Sequence, residues 1–421
     1  MRKRVFYFSI AIILLILVWL GLERFHDELP DIGRDAFYAN KNIDIPDNQN
    51  LTIAIAGITA PIGKDVIKHG RFVVDAINTS LDLGIDTQEI IDSQEKLSFS
   101  GNSDELECWI DDAIEKTISN CASPERIRLL LMENQELLKR YIDLYGMQYW
   151  KGTSGNGQYL IHLNKLITAE IKLETDKKNT EAAYKKWLAN FKFISRVLKH
   201  EGNSIDRAIF LVAQGMNLNS LEYMFYKSPD ISTTRLDELN TLLKDDGLEG
   251  YNLKGVLRVE YFFINENFIT KQVVAIHPEF IRNRIYRYQL DYLEKAQQPI
   301  STLDKNQTEL KEKYGLSANN FLDDLLDPTN SLVSKHLLEG QFRSLELVKS
   351  IYAKVAMKRL LRLSIKIRQQ RIEYADIQNF VEDAGAAYNN PFTGHSMQWN
   401  VSKKVLYCDY PGNNYQLEVR L

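Results

Sequence analysis

"TEAAYKKWLANFKFISRVLKHEG" (residues 180–202) places its apolar residues at helical rather than strand steps. Ala183, Trp187, Phe191, Ile194 and Leu198 recur three or four residues apart on a single stripe, and Gly202 stands where a helix would close. Leu160 to about Glu174 reads as the other arm of a helical hairpin. Upstream, "SPERIRLLLMENQELLKRYIDLYGMQYW" (123–150) begins with Ser123 as a cap, Pro124 at the first helical position and Glu125 facing the positive end of the helix dipole. Leu130, Leu137, Leu138, Tyr141, Tyr145 and Tyr149 then share one face, so one helix is expected to run to "KGTSGNG".

Residues 204–227, 234–245, 253–270, 279–297 and 340–372 read as further helices. Stacked antiparallel helices of this kind are similar in architecture to the helix-pair repeats of tetratricopeptide proteins. No strict repeat period and no full signature supports more than that analogy. "LTIAIAGITAPIGKD" is ambiguous, with a short helix capped by Asp47 slightly preferred. The period changes at the C-terminus. "MQWNV", "KVLYCDY" and "YQLEVRL" are separated by turn residues, and the last alternates strictly. They predict a small antiparallel β-meander packed on the helical body.

At the N-terminus, Val5 to Leu22 carries no charge and spans roughly 27 Å as a helix, close to the hydrocarbon thickness of a bilayer. Its apolar core exceeds that of a cleaved signal peptide, and Leu20-Gly21-Leu22-Glu23 offers no small-x-small site. A permanent single-pass anchor is the favoured reading. Arg2, Lys3 and Arg4 precede the span while Glu23, Asp27, Glu28 and Asp31 follow it, which keeps the N-terminus cytoplasmic. The expected location is the inner (plasma) membrane, with the C-terminal domain periplasmic or otherwise extracytoplasmic. The expected divisions are a cytoplasmic tail (1–4), a transmembrane helix (5–22), a tether (23–50), a helical domain (51–385) and the β-meander (386–421).

The chain has 52 Lys+Arg against 56 Asp+Glu, so nothing in the overall charge points to nucleic acid as a partner. At 44% hydrophobic it can bury a large core. Cys108 and Cys121 form a candidate disulfide in an oxidising compartment, with two buried thiols as the plainer alternative. A continuous helix would hold their Cα atoms about 20 Å apart, whereas a disulfide needs roughly 5.5 Å, so a bridge requires a bend between them. The 7 histidines form no H-E-x-x-H or close pair, and no metal or cofactor is expected.

"GITAPIGKD" (57–65) fails as a phosphate loop, because its glycine spacing is wrong and Asp65 replaces the magnesium-binding hydroxyl. Glu260 and Glu266, in "VEYFFINENF", are the carboxylates to test for a cell-wall or lipid-modifying hydrolase. The glutamate-serine pair such an enzyme needs is missing, so an aromatic-rich buried helix with solvent-facing acids is the favoured reading, and no catalytic residue is assigned. In "AKVAMKRLLRLSIKIRQQR" (353–371), Lys358, Arg362 and Lys366 stand at four-residue steps and form a candidate anion- or lipid-binding face. The competing reading is a solvated face or salt bridges to acidic neighbours. In "NNPFTGHSMQW" (389–399), Asn390-Pro391 and Thr393-Gly394 predict a turn that sends Met397 and Trp399 to one side of a strand.

Gly57-Ile58-Thr59-Ala60-Pro61, "LLKRYIDL" (137–144) and Asn390 to Trp399 resemble motifs of a group of uncharacterised proteobacterial envelope proteins. These have an N-terminal membrane segment, a helical body and a closing D/N-P-F/Y-T-G-x-x-M-x-W strand. The resemblance implies a fold and a location, and no activity. Together these readings predict a mainly α, membrane-anchored protein. It is expected to serve as a non-catalytic binding or scaffolding module for an envelope partner, with the hydrolase and anionic-lipid readings as alternatives.

Overall fold

The computed structural model describes residues 32–38, 45–83, 96–111, 123–147, 157–228, 231–244, 247–264, 278–314, 344–410 and 416–421. Among them the chain is mainly helical and closes with one three-stranded antiparallel sheet. In chain order the helices begin with α1 (Ile32–Tyr38), α2 (Leu51–Ala56), α3 (Val66–Leu83), α4 (Ser103–Asp111) and α5 (Pro124–Glu133). Next come α6 (Gln135–Asp143), α7 (Gly157–Asp176), α8 (Thr180–Lys199), α9 (Ser204–Lys227) and α10 (Thr233–Leu242). The last are α11 (Leu253–Ile264), α12 (Pro278–Ala296), α13 (Leu303–Lys313), α14 (Ser344–Gln370) and α15 (Ile377–Asp383). Strands β1 (Gln398–Asn400), β2 (Val405–Asp409) and β3 (Gln416–Arg420) follow. The expected tail and membrane span (1–22) lie outside the described residues, and among those described no helix is long and apolar enough to cross a membrane.

By backbone contacts the chain divides into two compact units, whereas the sequence reads as one helical domain over 51–385. The larger comprises Asp44–Val256, Pro299–Thr302 and Ser344–Leu421. Its centre is the mutual packing of α7, α8 and α9, with α14 laid on α9 and the sheet on α14. All five residues of the α8 stripe are buried, and Trp187 donates its indole N–H to the Asn217 carbonyl of α9 at 2.9 Å. The helix stops at Lys199 rather than near Gly202, with His200 as its C-cap.

Ser123 caps α5 as expected, accepting from Arg126 N at 3.2 Å, but the expected single helix breaks at Asn134. The cause lies elsewhere in the chain. Asn134 is buried, its Oδ1 accepts from Ser100 N at 2.8 Å, and its Nδ2 donates to the Ser100 and Leu130 carbonyls. A side chain that must satisfy a neighbouring strand of backbone interrupts the ladder locally. Asn50 rather than Asp47 caps α2, accepting from Thr52 N at 3.0 Å. Two glycines let α2 and α3 cross backbone to backbone: a Cβ on Gly57 would lie 1.8 Å from the Val66 carbonyl oxygen, and one on Gly70 1.9 Å from that of Ile53. The turn after α2 is held by Arg140 of α6, whose Nη1 donates to the Ile58 and Ala60 carbonyls at 3.0 and 2.5 Å. Two of the three motifs behind the envelope-protein resemblance therefore touch each other.

The meander forms as the C-terminal pattern predicts. Trp399, Leu406 and Val419 are directly opposite one another across β1, β2 and β3, and all three are buried. The preceding turn is built by Asn390, whose Oδ1 accepts from Phe392 N at 2.9 Å and whose carbonyl accepts from Gly394 N at 2.8 Å. Gly394 takes φ +77°, which explains a glycine there. Two backbone N–H groups of the sheet bond to helix side chains: Trp399 N donates to Gln378 of α15 at 2.9 Å, and Arg420 N to Glu222 of α9 at 3.1 Å.

The smaller unit comprises Met1–Ile43, Leu257–Gln298 and Leu303–Arg343. Within the stretch that reads as a tether, α1 is an ordered helix with Arg34, Phe37 and Tyr38 buried. Arg34 Nη1 donates to Glu279 and Asn283 of α12 at 2.6 and 2.8 Å, and the Tyr38 ring stacks on Tyr261 with centroids 3.5 Å apart. Helix α13 has no counterpart among the expected helices. Its signal is Leu303, Leu310 and Tyr314 on one face, with Asp304 at its start and lysines at its end.

Candidate functional site: the cationic face of α14

The 27 residues of α14 carry the basic cluster singled out in the sequence. Arg362 and Lys366 meet over one ring: the Arg362 guanidinium lies 4.7 Å and Lys366 Nζ 4.4 Å from the centroid of Tyr388. Arg362 Nε donates to Asn240 Oδ1 of α10 at 3.1 Å, and its Nη2 to the Tyr388 hydroxyl at 3.1 Å. Tyr388 is presented by a 3-10 turn (Ala386–Tyr388) that starts from Gly385 at φ +87°, and Arg359 ties this turn to α14 by donating to the Asn389 carbonyl at 2.8 Å. Lys358, the third expected member, is set apart. It is buried, with Nζ 5.2 Å from the centroid of Tyr251.

The salt bridges to acidic neighbours that the sequence favours are absent among the described residues. Arg362 and Lys366 are half-buried, and among the described residues neither has a carboxylate partner. The same holds for Arg368, whose guanidinium lies 5.5 Å from the Phe225 ring centroid and whose Nε is buried with no acceptor. Burial pushes the Arg368 pKa down, with the Tyr374 hydroxyl pulling it back up. Ring faces offset part of the desolvation of these cations. Among the described residues the Lys366 ammonium and Arg362 Nη1 have no hydrogen-bond acceptor, which leaves these donors to an anion. Such a set suits a phosphate or carboxylate, for which a planar guanidinium and a compact ammonium are the usual ligands. Sequence spacing finds the cations; it misses Tyr388 and Asn240, which come from elsewhere in the chain.

A second feature is an open groove of about 370 Å³ bordered by α5 and α6. Leu131, Met132, Leu138 and Ile142 supply its apolar lining, and on its rim Lys186 pairs with Glu170 at 2.9 Å. Its lining carries two cations, Lys139 and Lys186, against two carboxylates, Asp143 and Glu170, so the groove selects an ionic ligand less strongly than α14 does.

The remaining candidates gain no catalytic geometry. Glu260 is half-buried on α11 beside the stacked Tyr261, and Glu266 lies outside the described residues. Cys121 and the side chain of Cys108 also lie outside them, so the candidate disulfide is not described. Cys408 is a free, buried thiol on β2, its pKa pushed up to about 12 by burial and by Asp409, which makes it a poor nucleophile. Among the described residues no group of three or more His, Cys, Asp or Glu could hold a metal ion. The chain matches no protein-family model, no curated protein and no solved structure.

Proposed function

We propose that this chain is a non-catalytic binding module, tethered to a membrane through residues 5–22, that grips an anionic group of its partner at Arg362 and Lys366. The observation that carries the proposal is the pair of cations held on Tyr388 with no carboxylate beside them among the described residues. A protein that used these residues only for stability would gain more by pairing them, since an unopposed, half-buried cation bears a desolvation cost. The anchor and its extracytoplasmic orientation rest on the sequence alone, on the uncharged run and the charges that flank it.

The test is thermal unfolding of the full chain in uncharged bilayers, with inorganic phosphate compared against chloride at matched ionic strength. Phosphate should raise Tm by binding the folded form, and the Arg362→Gln/Lys366→Gln double variant should lose that rise. An equal rise in the variant, or none in the wild type, overturns the assignment. Alkaline phosphatase fused after Leu421 tests the tether independently; absence of phosphatase activity with intact expression overturns the extracytoplasmic placement.

A further inference from the structure

Helix α6 carries two opposite charges that do not find each other. Lys139 and Asp143 are both exposed and stand one turn apart, yet neither has an ion pair or a side-chain hydrogen bond among the described residues. A lysine placed N-terminal to an acid at this spacing is the weaker of the two orientations on a helix. Both charges therefore stay open to a partner from outside the helix.

The same two side chains line the groove beside α5 and α6, together with Met132, Leu138 and Ile142. Met132 is 67% and Ile142 43% exposed. Large apolar side chains left this open along one groove mark a surface that another protein covers. At 3.6 residues per turn, Ile142 falls between Leu138 and Lys139 around the helix, with Asp143 just beyond. The apolar and charged residues thus share one broad face.

That face is complementary to itself. Two copies of α6 laid antiparallel about a two-fold axis, level with Tyr141 and midway between the charges, bring Lys139 of each copy opposite Asp143 of the other. Ile142 of both copies then lies next to the axis, apolar against apolar. An isologous contact requires this reciprocity, in which each member of a pair is met by the other across the axis. A different protein would have to supply the same order of charges independently.

We propose that α6 and the groove beside it form a two-fold interface between two copies of this chain, closed by reciprocal Lys139–Asp143 ion pairs around Ile142. The surface is separate from Arg362 and Lys366 and does not depend on what they bind. Its ion pairs are exposed and individually weak, so the dimer is reversible.

The experiment is energy transfer between donor- and acceptor-labelled copies of the full-length protein in uncharged bilayers, followed as protein density rises. The wild type should associate. Lys139→Glu alone and Asp143→Lys alone should each weaken self-association about tenfold, because both ion pairs turn into repulsions. Mixed together, the two single variants should associate as the wild type does, since each then meets the opposite charge. That recovery also shows that both variants are folded. A wild type that stays monomeric overturns the proposal and leaves the groove to a helix of a different protein. Association that neither variant weakens places the contact elsewhere and overturns it, as does a mixture that fails to recover.

Discussion

Glu222 makes this protein's stability depend on pH in a direction opposite to that of an ordinary paired carboxylate. The side chain belongs to α9 and is 7% exposed, and its Oε1 accepts from Arg420 N at 3.1 Å. Burial raises its pKa from 4.5 to about 7; the Arg420 amide and the Arg420 and Lys172 charges pull downward, and Glu418 pushes upward. Because the folded value stands above the unfolded one, the stabilising contribution is complete below about pH 4.5 and is lost as pH rises through about 7. Above that range the folded chain holds buried a carboxylate that the unfolded chain holds in water, at a cost of about 3 kcal/mol. Glu222→Gln keeps the shape and the acceptor for Arg420 N but removes the ionisation. Urea unfolding of both proteins, followed by tryptophan fluorescence across this pH range, isolates the effect, since other titrating groups cancel in the difference. The wild type should lose about 3 kcal/mol relative to the variant between the acid and alkaline ends. A difference that stays constant with pH would show that Glu222 ionises as if in water, and would refute the reasoning.

Two further substitutions test the α2–α3 region. Gly70→Ala places a methyl 1.9 Å from the Ile53 carbonyl oxygen, a backbone atom that cannot step aside, and should cost about 1–3 kcal/mol or more by urea unfolding. Arg140→Met leaves the buried Ile58 and Ala60 carbonyls without their donor and should cost about 2–3 kcal/mol in the same measurement. Arg140→Lys should recover only part of that, because a single ammonium cannot reproduce the spread of the guanidinium donors.

How far the fold is legible depends on whether its cause is local. The α8 stripe and the C-terminal meander follow from periods of three to four and of two residues, which report directly on which face is buried. The break at Asn134 is invisible because the flanking sequence stays helical and the reason is the Ser100 backbone, which approaches only in the folded chain. The order of α1 is hidden for the same reason, since Arg34 reads as a polar tether residue until Glu279 and Asn283 are beside it. The cation spacing on α14 is plain in the sequence. That Arg362 and Lys366 share Tyr388 while Lys358 turns to Tyr251 is decided by residues distant along the chain.

The hydrogen bonds that Gln378 and Glu222 make to the small sheet have a consequence for how the protein behaves in a crowd. A three-stranded sheet has two open margins, and a margin with free N–H groups invites strands from other chains to add on. Here β1 gives its Trp399 N–H to Gln378 and β3 gives its Arg420 N–H to Glu222, so a helix side chain stoppers each margin. Both stoppers are acceptors held by rigid helices, and an incoming strand would have to displace them before its own carbonyls could pair. The helical body therefore guards the sheet against runaway self-association while the sheet closes the helical body.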